Sequence, residues 1–278
     1  MTHSLPPLYL SHGSPMIAIE RSPASDFLDR LGPVIDRTFG RPRAVLVVSP
    51  HSATRTPMVM AGVRHEAIHD FGGFPDALYQ QRYSTAGAPL LAADVAQRLV
   101  KVGLNAQAVD ASGLDHGIWT VLKRAWPDAS IPVVPLTLVP NWTPAQQWAV
   151  GAALADLADD GVLIIGSGSL THNLRRFFGE RPSADAPVSP DVAAFQDWIR
   201  QRGAACDWPA LFDYRRQAPH AAQQHPTDEH WLPYYIAAGA GGETQPAVRI
   251  HASVDAGILA MDGYAFGPQA ARLAEALG

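Results

Sequence analysis

The sequence predicts an α/β protein: a single domain over residues 1–278, with a central mostly parallel or mixed sheet covered by helices on both faces. Three observations carry this expectation. Short apolar, β-branched runs alternate along the chain with stretches whose apolar residues recur at helical spacing. Two of the runs, RAVLVVS (43–49) and VLII (162–165), have the near-continuous apolar character of strands buried on both faces. No internal repeat or low-complexity linker divides the chain, whose 278 residues lie within the range of one large α/β domain.

Taken in order, residues 8–11 form the first expected strand, which ends at His12 in YLSHGSPM. Gly13 admits a positive φ, and Pro15 fixes its own φ while moving Ser14 out of the helical region, so the backbone after His12 is expected to hold one tight shape. That shape suits a ligand or catalytic group, although one turn histidine taken alone is equally an ordinary one. Residues 26–35 place Phe27, Leu28, Leu31 and Val34 at helical spacing, with Gly32 and Pro33 leaving the helix end open. The strand at 43–49 runs into Pro50 and His51. Residues 63–75, with RHEAIHDFGGFP, are rich in glycine and aromatics and read as a surface loop able to close over a pocket. His65 and His69 are read there as loop residues or neighbours of a site rather than ligands.

A helix is expected over 89–102, with Leu91, Val95, Leu99 and Val102 on one face and Gly103 as its stop. LDHGIWTVLKRAWP (114–127) then puts Asp115 and His116 just before a helix carrying Ile118, Trp119 and Leu122. The two prolines of IPVVPLTLV (131–139) argue for an edge strand or a bulge. Thr143 before Pro144 marks the start of a helix over 144–157, and Gly161 closes that segment. VLII leads into GSGSLTHNL, with His172 in the following turn. Residues 190–203 give a helix with Val192, Phe195 and Ile199 inward. A polar loop over 215–227 holds His220 and His225, and Thr227, Asp228 and Glu229 start a helix through HWLPYYIAAGA, with His230 in its first turn. The tail VRIHASVDAGILAMDGYAF reads as strands, in which Asp262 and Gly263 either turn a hairpin or lie within a continuing run.

Composition narrows the function. An apolar content of 47% with 17% charged residues describes a globular protein with a sizeable core. The net charge of -5 offers no basic footprint for nucleic acid or an anionic membrane. No apolar run approaches ~18 residues, and MTHSLPPLYL lacks the basic region and long apolar core of a signal peptide. Cys206 is the only cysteine, which excludes an internal disulfide framework and a multi-cysteine metal site. With no histidine adjacent in sequence it gives no sign of being a nucleophile. A reducing, cytoplasmic setting is expected. The seven tryptophans read as core or pocket walls, and His3, His220, His225 and His251 as solvated or structural.

Competing motifs fail. GSGSLT (166–171) has Thr171 where a dinucleotide-binding G-x-G-x-x-G needs its last glycine. Neither Ser167 nor Ser169 sits in G-x-S-x-G, and there is no Walker A sequence. Open α/β sheets bind ligands at the carboxyl ends of their strands. His12, His51 and His172 each follow a strand by a few residues and are expected to converge on one rim, so metal chemistry through imidazole is the reading left standing.

The pieces HGSPM at His12, SPHS at His51, IHDFGGFP at 68–75, LDHGIW at His116, SGSLTHNL at His172 and PTDEHWLPYY at His230 stand in a specific order. By them the chain, from YLSHGSPM to its C-terminal strands, resembles the DOPA 4,5-dioxygenase-like members of the class III extradiol ring-cleavage dioxygenases. The resemblance implies that His12, His51 and His230 bind the metal, that His172 is the general base and that His116 contacts the substrate. In some relatives the residue matching His172 also reaches the metal. It further implies Fe(II) for activity, with Zn(II) able to occupy purified protein because zinc outcompetes Fe(II) for imidazole. No organic cofactor is implied, and the partners are a small aromatic diol, DOPA-like, and O2.

That chemistry needs such residues. Open positions on a non-haem Fe(II) hold both catecholate oxygens and O2 at once, which turns a three-body encounter into one complex. A neutral histidine near pH 7 can remove the second hydroxyl proton. Attack at the carbon beside the diol, rearrangement to a lactone and hydrolysis would leave a ring-opened muconic semialdehyde. The usual facial triad is two histidines and one carboxylate, whereas here His230 stands as third ligand with Glu229 beside it as a substitute. Three histidines also hold some catalytic zinc ions. Two alternatives therefore stay open: a zinc hydrolase activating water with His172 or Asp115 as base, and a non-catalytic metal-site binding protein. Retention of both His172 and His116 argues against the second. The sequence leaves the ring substituent and the oligomeric state open.

Overall fold

Alternate residues of a strand face opposite sides of a sheet, and the central runs of this chain are apolar at every position, so helices must cover both faces. A computed structural model, which describes residues 4–278, has this arrangement; His3 lies outside the described residues. One mixed sheet is built from β1 (Leu8–Ser11), β2 (Ala44–Ala53), β3 (Met58–Met60), β4 (Gln107–Val109), β5 (Val133–Leu138), β6 (Val162–Gly168), β7 (Val248–His251) and β8 (Gly263–Ala265). Their order is β4-β3-β5-β2-β6-β1-β8-β7. The strands β5, β2, β6 and β1 run parallel, while β8 and β7 continue antiparallel from β1.

The main helices are α1 (Pro23–Phe39), α2 (Pro89–Lys101), α3 (His116–Ala125), α4 (Pro144–Ala152), α5 (Pro190–Ala204), α6 (Leu232–Gly241) and α7 (Ala270–Leu277). Leu46, Val48, Leu136 and Ile164 face α2, α4, α5 and α6. Val45, Val47, Leu163 and Ile165 face α1, α3 and α7. Each such side chain contributes roughly 1.5–3 kcal/mol by leaving water. No helix among the described residues is long and apolar enough to cross a membrane.

Several local expectations change. The run 131–139 is neither an edge strand nor itself bulged: β5 lies between β2 and β3, with Pro135 opposite Val47. Pro135 is tolerated there because β3 meets β5 at a single register position, Val59 with Leu136, so little of a ladder is interrupted on that side. The irregularity sits in β2 instead, where the register with β5 slips between Ser49 and Ala53. α1 runs through Gly32 and Pro33 to Phe39; Pro33 lies on the exposed face, where the carbonyl it leaves unpaired can meet water. The helix expected over 144–157 stops at Ala152 and resumes as a 3-10 turn, Ala155–Ala158, while its start is as read, with Thr143 and Gln146 forming a capping box. α6 begins at Leu232, so His230 lies in the turn before it rather than in its first turn. The chain past Asp262 continues directly into β8.

Within 63–75, Arg64–Glu66 pairs with Ser84–Ala86. Within 215–227, two short helices, Tyr214–Gln217 and Ala221–Gln224, deliver a buried, structural His225 whose Nε2 lies 2.8 Å from the Leu170 carbonyl. His251 stacks on Phe27, ring centroids 4.5 Å apart.

Candidate active site

Five histidines from five separate segments meet at the carboxyl rim of the parallel strands. His12 directly follows β1, and its N–H donates to the Gly168 carbonyl (2.9 Å) at the end of β6. Gly13 takes φ +60°, and a Cβ there would stand 2.5 Å from Met261 Cε, so the tight turn after His12 requires glycine. His51 lies where β2 slips against β5, a bulge that takes it out of the regular ladder. His116 is the first residue of α3. The His230 carbonyl accepts from Ser169 N–H (3.0 Å) and the Tyr9 hydroxyl (3.1 Å), which ties the turn before α6 to the end of β6. His172 is held through its backbone N–H, which donates to the Gln224 carbonyl (2.9 Å).

His51 Nε2 lies 3.2 Å from His12 Nε2 and 3.3 Å from His230 Nε2. The His116 ring packs on His51, centroids 3.9 Å apart, and His172 stacks on His230 at 3.4 Å with planes 9° apart. Donor atoms of His12, His51 and His116 lie within 4.8 Å of one another, as do those of His172, Glu229 and His230.

The outer nitrogens fix the tautomers of two rings. His12 Nδ1 is 3.0 Å from Ser167 Oγ, and that hydroxyl donates its own hydrogen to the Gly117 carbonyl (2.5 Å), so Ser167 accepts and His12 carries its proton on Nδ1. His230 Nδ1 lies 3.2 Å from Glu229 Oε1, an acceptor only, so it too is the donor. Both rings then turn a bare Nε2 toward His51 Nε2. A single proton on His51 satisfies only one of them; a cation satisfies all three. Bonds of 2.0–2.1 Å at tetrahedral angles put nitrogens about 3.3 Å apart, which is the spacing of His51 Nε2 from each of the other two. The residues therefore fit a metal ion.

Electrostatics agree. Burial, reinforced by the surrounding imidazoles, holds His12 well below the usual histidine range and His51 at about 3. Burial likewise lowers His230 against the pull of Glu229, and lowers His172 to about 2. All four are neutral at pH 7, the form that ligates metals and accepts protons. The bond from His230, with Thr227 Oγ1 at 3.0 Å, holds Glu229 down at about 2. Its carboxylate meets His230 on the Nδ1 side, away from the three converging Nε2 atoms.

The five residues singled out from sequence, His12, His51, His116, His172 and His230, are thus brought together. His65 and His69 stand outside the cluster. His65 is buried, its Nδ1 accepting from Gly113 N–H (3.2 Å), and His69 lies among Phe71, Tyr79 and Trp119. Sequence reasoning missed the supporting residues Ser167, Asp70, Ser49 and Ser52. Asp70 accepts from the backbone N–H of His116 (2.9 Å) and lies 3.1 Å from its Nδ1. Ser49 and Ser52 donate to the buried carboxylate of Asp115 at 2.7 and 2.6 Å. The one available signal was position: each serine flanks or faces a histidine motif, and Asp70 follows His69 in IHDFGGFP.

A mixed α/β sheet whose parallel strands gather bare imidazole nitrogens at their carboxyl rim carries a histidine cluster that fits a metal ion. The chain matches, over residues 1–267, the family described as the catalytic LigB subunit of aromatic ring-opening dioxygenase. It belongs to that family and is an aromatic ring-opening dioxygenase. It is 38% identical to the 4,5-DOPA dioxygenase extradiol of Beta vulgaris, over 93% of this chain and 95% of that protein. With the 4,5-DOPA dioxygenase extradiol of Escherichia coli K12 it shares 32% identity over 92% of this chain and 93% of the relative. A crystal structure of an uncharacterized protein from Escherichia coli K12 superposes with a TM-score of 0.74 at 27% identity, covering 95% of this chain and 100% of that one. Membership in this family sets aside the hydrolase and the non-catalytic binding protein.

Proposed function

We propose that the chain, as one catalytic domain, is an extradiol dioxygenase that opens a catechol-type ring with O2 at an Fe(II) held by Nε2 of His12, His51 and His230. The observation that carries this reading is the convergence of those three nitrogens at 3.2 and 3.3 Å, with Ser167 and Glu229 holding two of the rings in the ligating tautomer. When bound, Fe(II) supplies open positions at which the diol oxygens and O2 are held together. Zn(II) suits the same nitrogens and is expected in protein purified without iron.

His172 enters the site neutral and takes the second hydroxyl proton of the diol. His116 contacts the substrate. Phe71, edge-on to His116 at 5.7 Å, packs with Phe74 and Tyr79 into an apolar wall suited to an aromatic ring. Both relatives compared above bear the name 4,5-DOPA dioxygenase extradiol, and a DOPA-like catechol is accordingly the proposed substrate. With its one cysteine free, the chain suits the reducing cytoplasm.

Metal analysis after anaerobic Fe(II) loading tests the ligand set. One iron per chain is expected, lost in H12A, H51A and H230A and kept in H172A, which instead loses turnover. Full iron retention in the first three variants would overturn the assignment.

A further inference from the structure

Asp115 occupies the N-cap of α3, where a side chain ordinarily accepts from the free N–H groups of the first turn, yet it makes no such bond. Its carboxylate is taken up by Ser49 and Ser52, which flank His51 in sequence. The place is filled from the loop over 67–75. Asp70 Oδ1 accepts from the His116 backbone N–H at 2.9 Å, and both Asp70 oxygens lie 3.1 Å from His116 Nδ1. Asp70 Oδ2 also stands 3.9 Å from His51 Nδ1, too far for a hydrogen bond. Two carboxylates thus brace the rim crosswise, Asp115 against the strand that carries His51 and Asp70 against the helix that starts with His116.

An ionised carboxylate only accepts. Burial opposes the charge of Asp70, but the bonds from His116 outweigh it and hold the carboxyl below its usual range. His116 therefore donates from Nδ1 to Asp70, and a ring carrying that one proton has its Nε2 bare on the side away from Asp70. We propose that Asp70 is a positioning residue that caps α3 from the loop and locks His116 in the Nδ1–H tautomer, making its Nε2 a hydrogen-bond acceptor for a hydroxyl of the aromatic diol. This rests on the catechol reading above only for the identity of the hydroxyl. The same contact joins loop to site: Phe71, next in sequence, packs edge-on against the ring that Asp70 holds.

The test uses zinc-loaded, 15N-histidine-labelled protein, which is diamagnetic, and long-range 1H–15N spectra that tell Nδ1–H from Nε2–H. Wild type is expected to show His116 protonated at Nδ1. D70A is expected to lose that preference at unchanged zinc content, and its Fe(II) form to lose at least about 100-fold in kcat on catechols, in the range of a mispositioned proton-handling group. D70N, which keeps an oxygen for the helix N–H, is the second variant should D70A fail to fold, and is expected to weaken the Nδ1–H preference with α3 intact. An Nε2–H tautomer in wild type, or folded variants that keep both the wild-type tautomer and the wild-type kcat, would overturn the proposal. If wild type turned over no catechol, the dioxygenase reading would fail, while the spectrum would still decide the role of Asp70.

Discussion

Ser167 lies behind His12 and decides which nitrogen of that ring faces the cluster. In S167A the His12 Nδ1–H would lose its acceptor (3.0 Å) and the ring its fixed tautomer. Metal affinity is expected to fall roughly 10–100-fold, the usual cost of losing a partner behind a ligand. A competition titration against a chelator measures it, and an unchanged affinity would contradict the role. Gly117 tests the same ring from the other side: a Cβ there would stand 2.6 Å from Ser49 Oγ and 3.0 Å from His12 Nδ1. Alanine favours a helix over glycine by about 1 kcal/mol, so G117A should keep the helicity of α3 while displacing His12. Circular dichroism together with metal titration separates the two effects, and metal binding at the wild-type level would show that His12 has room to spare.

At the scale of elements, the site depends on how α3 and β2 are held together. Ser49 donates to the Asp115 carboxylate at 2.7 Å, and burial pushes that carboxyl upward, opposed by the two serines. Removing one hydrogen bond to a buried charged group costs about 1.5–3 kcal/mol. S49A is therefore expected to lose about that much in denaturant unfolding, whereas a loss near zero would mean that the brace is redundant. The same elements show what sequence makes legible. The end of β1 before His12 and the irregular end of β2 that carries His51 follow from apolar runs broken by glycine and proline, which is a local signal. The internal position of Pro135 and the start of α6 two residues beyond His230 depend on how neighbours pair, and no local pattern encodes that. α7 lies beyond the strands expected up to Phe266, and only Leu273 and Leu277, buried and at helical spacing, mark so short a helix in the sequence. Asp70 and His116 are 46 positions apart and meet only once the loop has folded.

For the whole molecule, buried neutral histidines set the response to acid. His225 is held at about 3 by burial, opposed by its bond to the Leu170 carbonyl, against about 6.5 in the unfolded chain. The unfolded state therefore binds more protons between those values, and this group's contribution is complete above pH ~6.5 and declines as pH falls toward 3, by up to ~1.4 kcal/mol per pH unit. H225Q should flatten the stability-against-pH curve in that window; an identical slope would assign the acid response elsewhere. The fold and all five clustered histidines were legible because strand ends on one rim and an ordered set of motifs agree, while the residues behind them were not, since a hydroxyl or carboxylate supporting a ring has no periodicity. The central claim, oxidative opening of a catechol ring at a histidine-held Fe(II), is tested most directly by oxygen uptake and visible absorbance after anaerobic Fe(II) loading, on a panel of catechols that includes DOPA. One O2 consumed per substrate, with a yellow ring-opened product formed with iron and absent with zinc, is the expected result. No oxygen uptake on any catechol at full iron occupancy would contradict it.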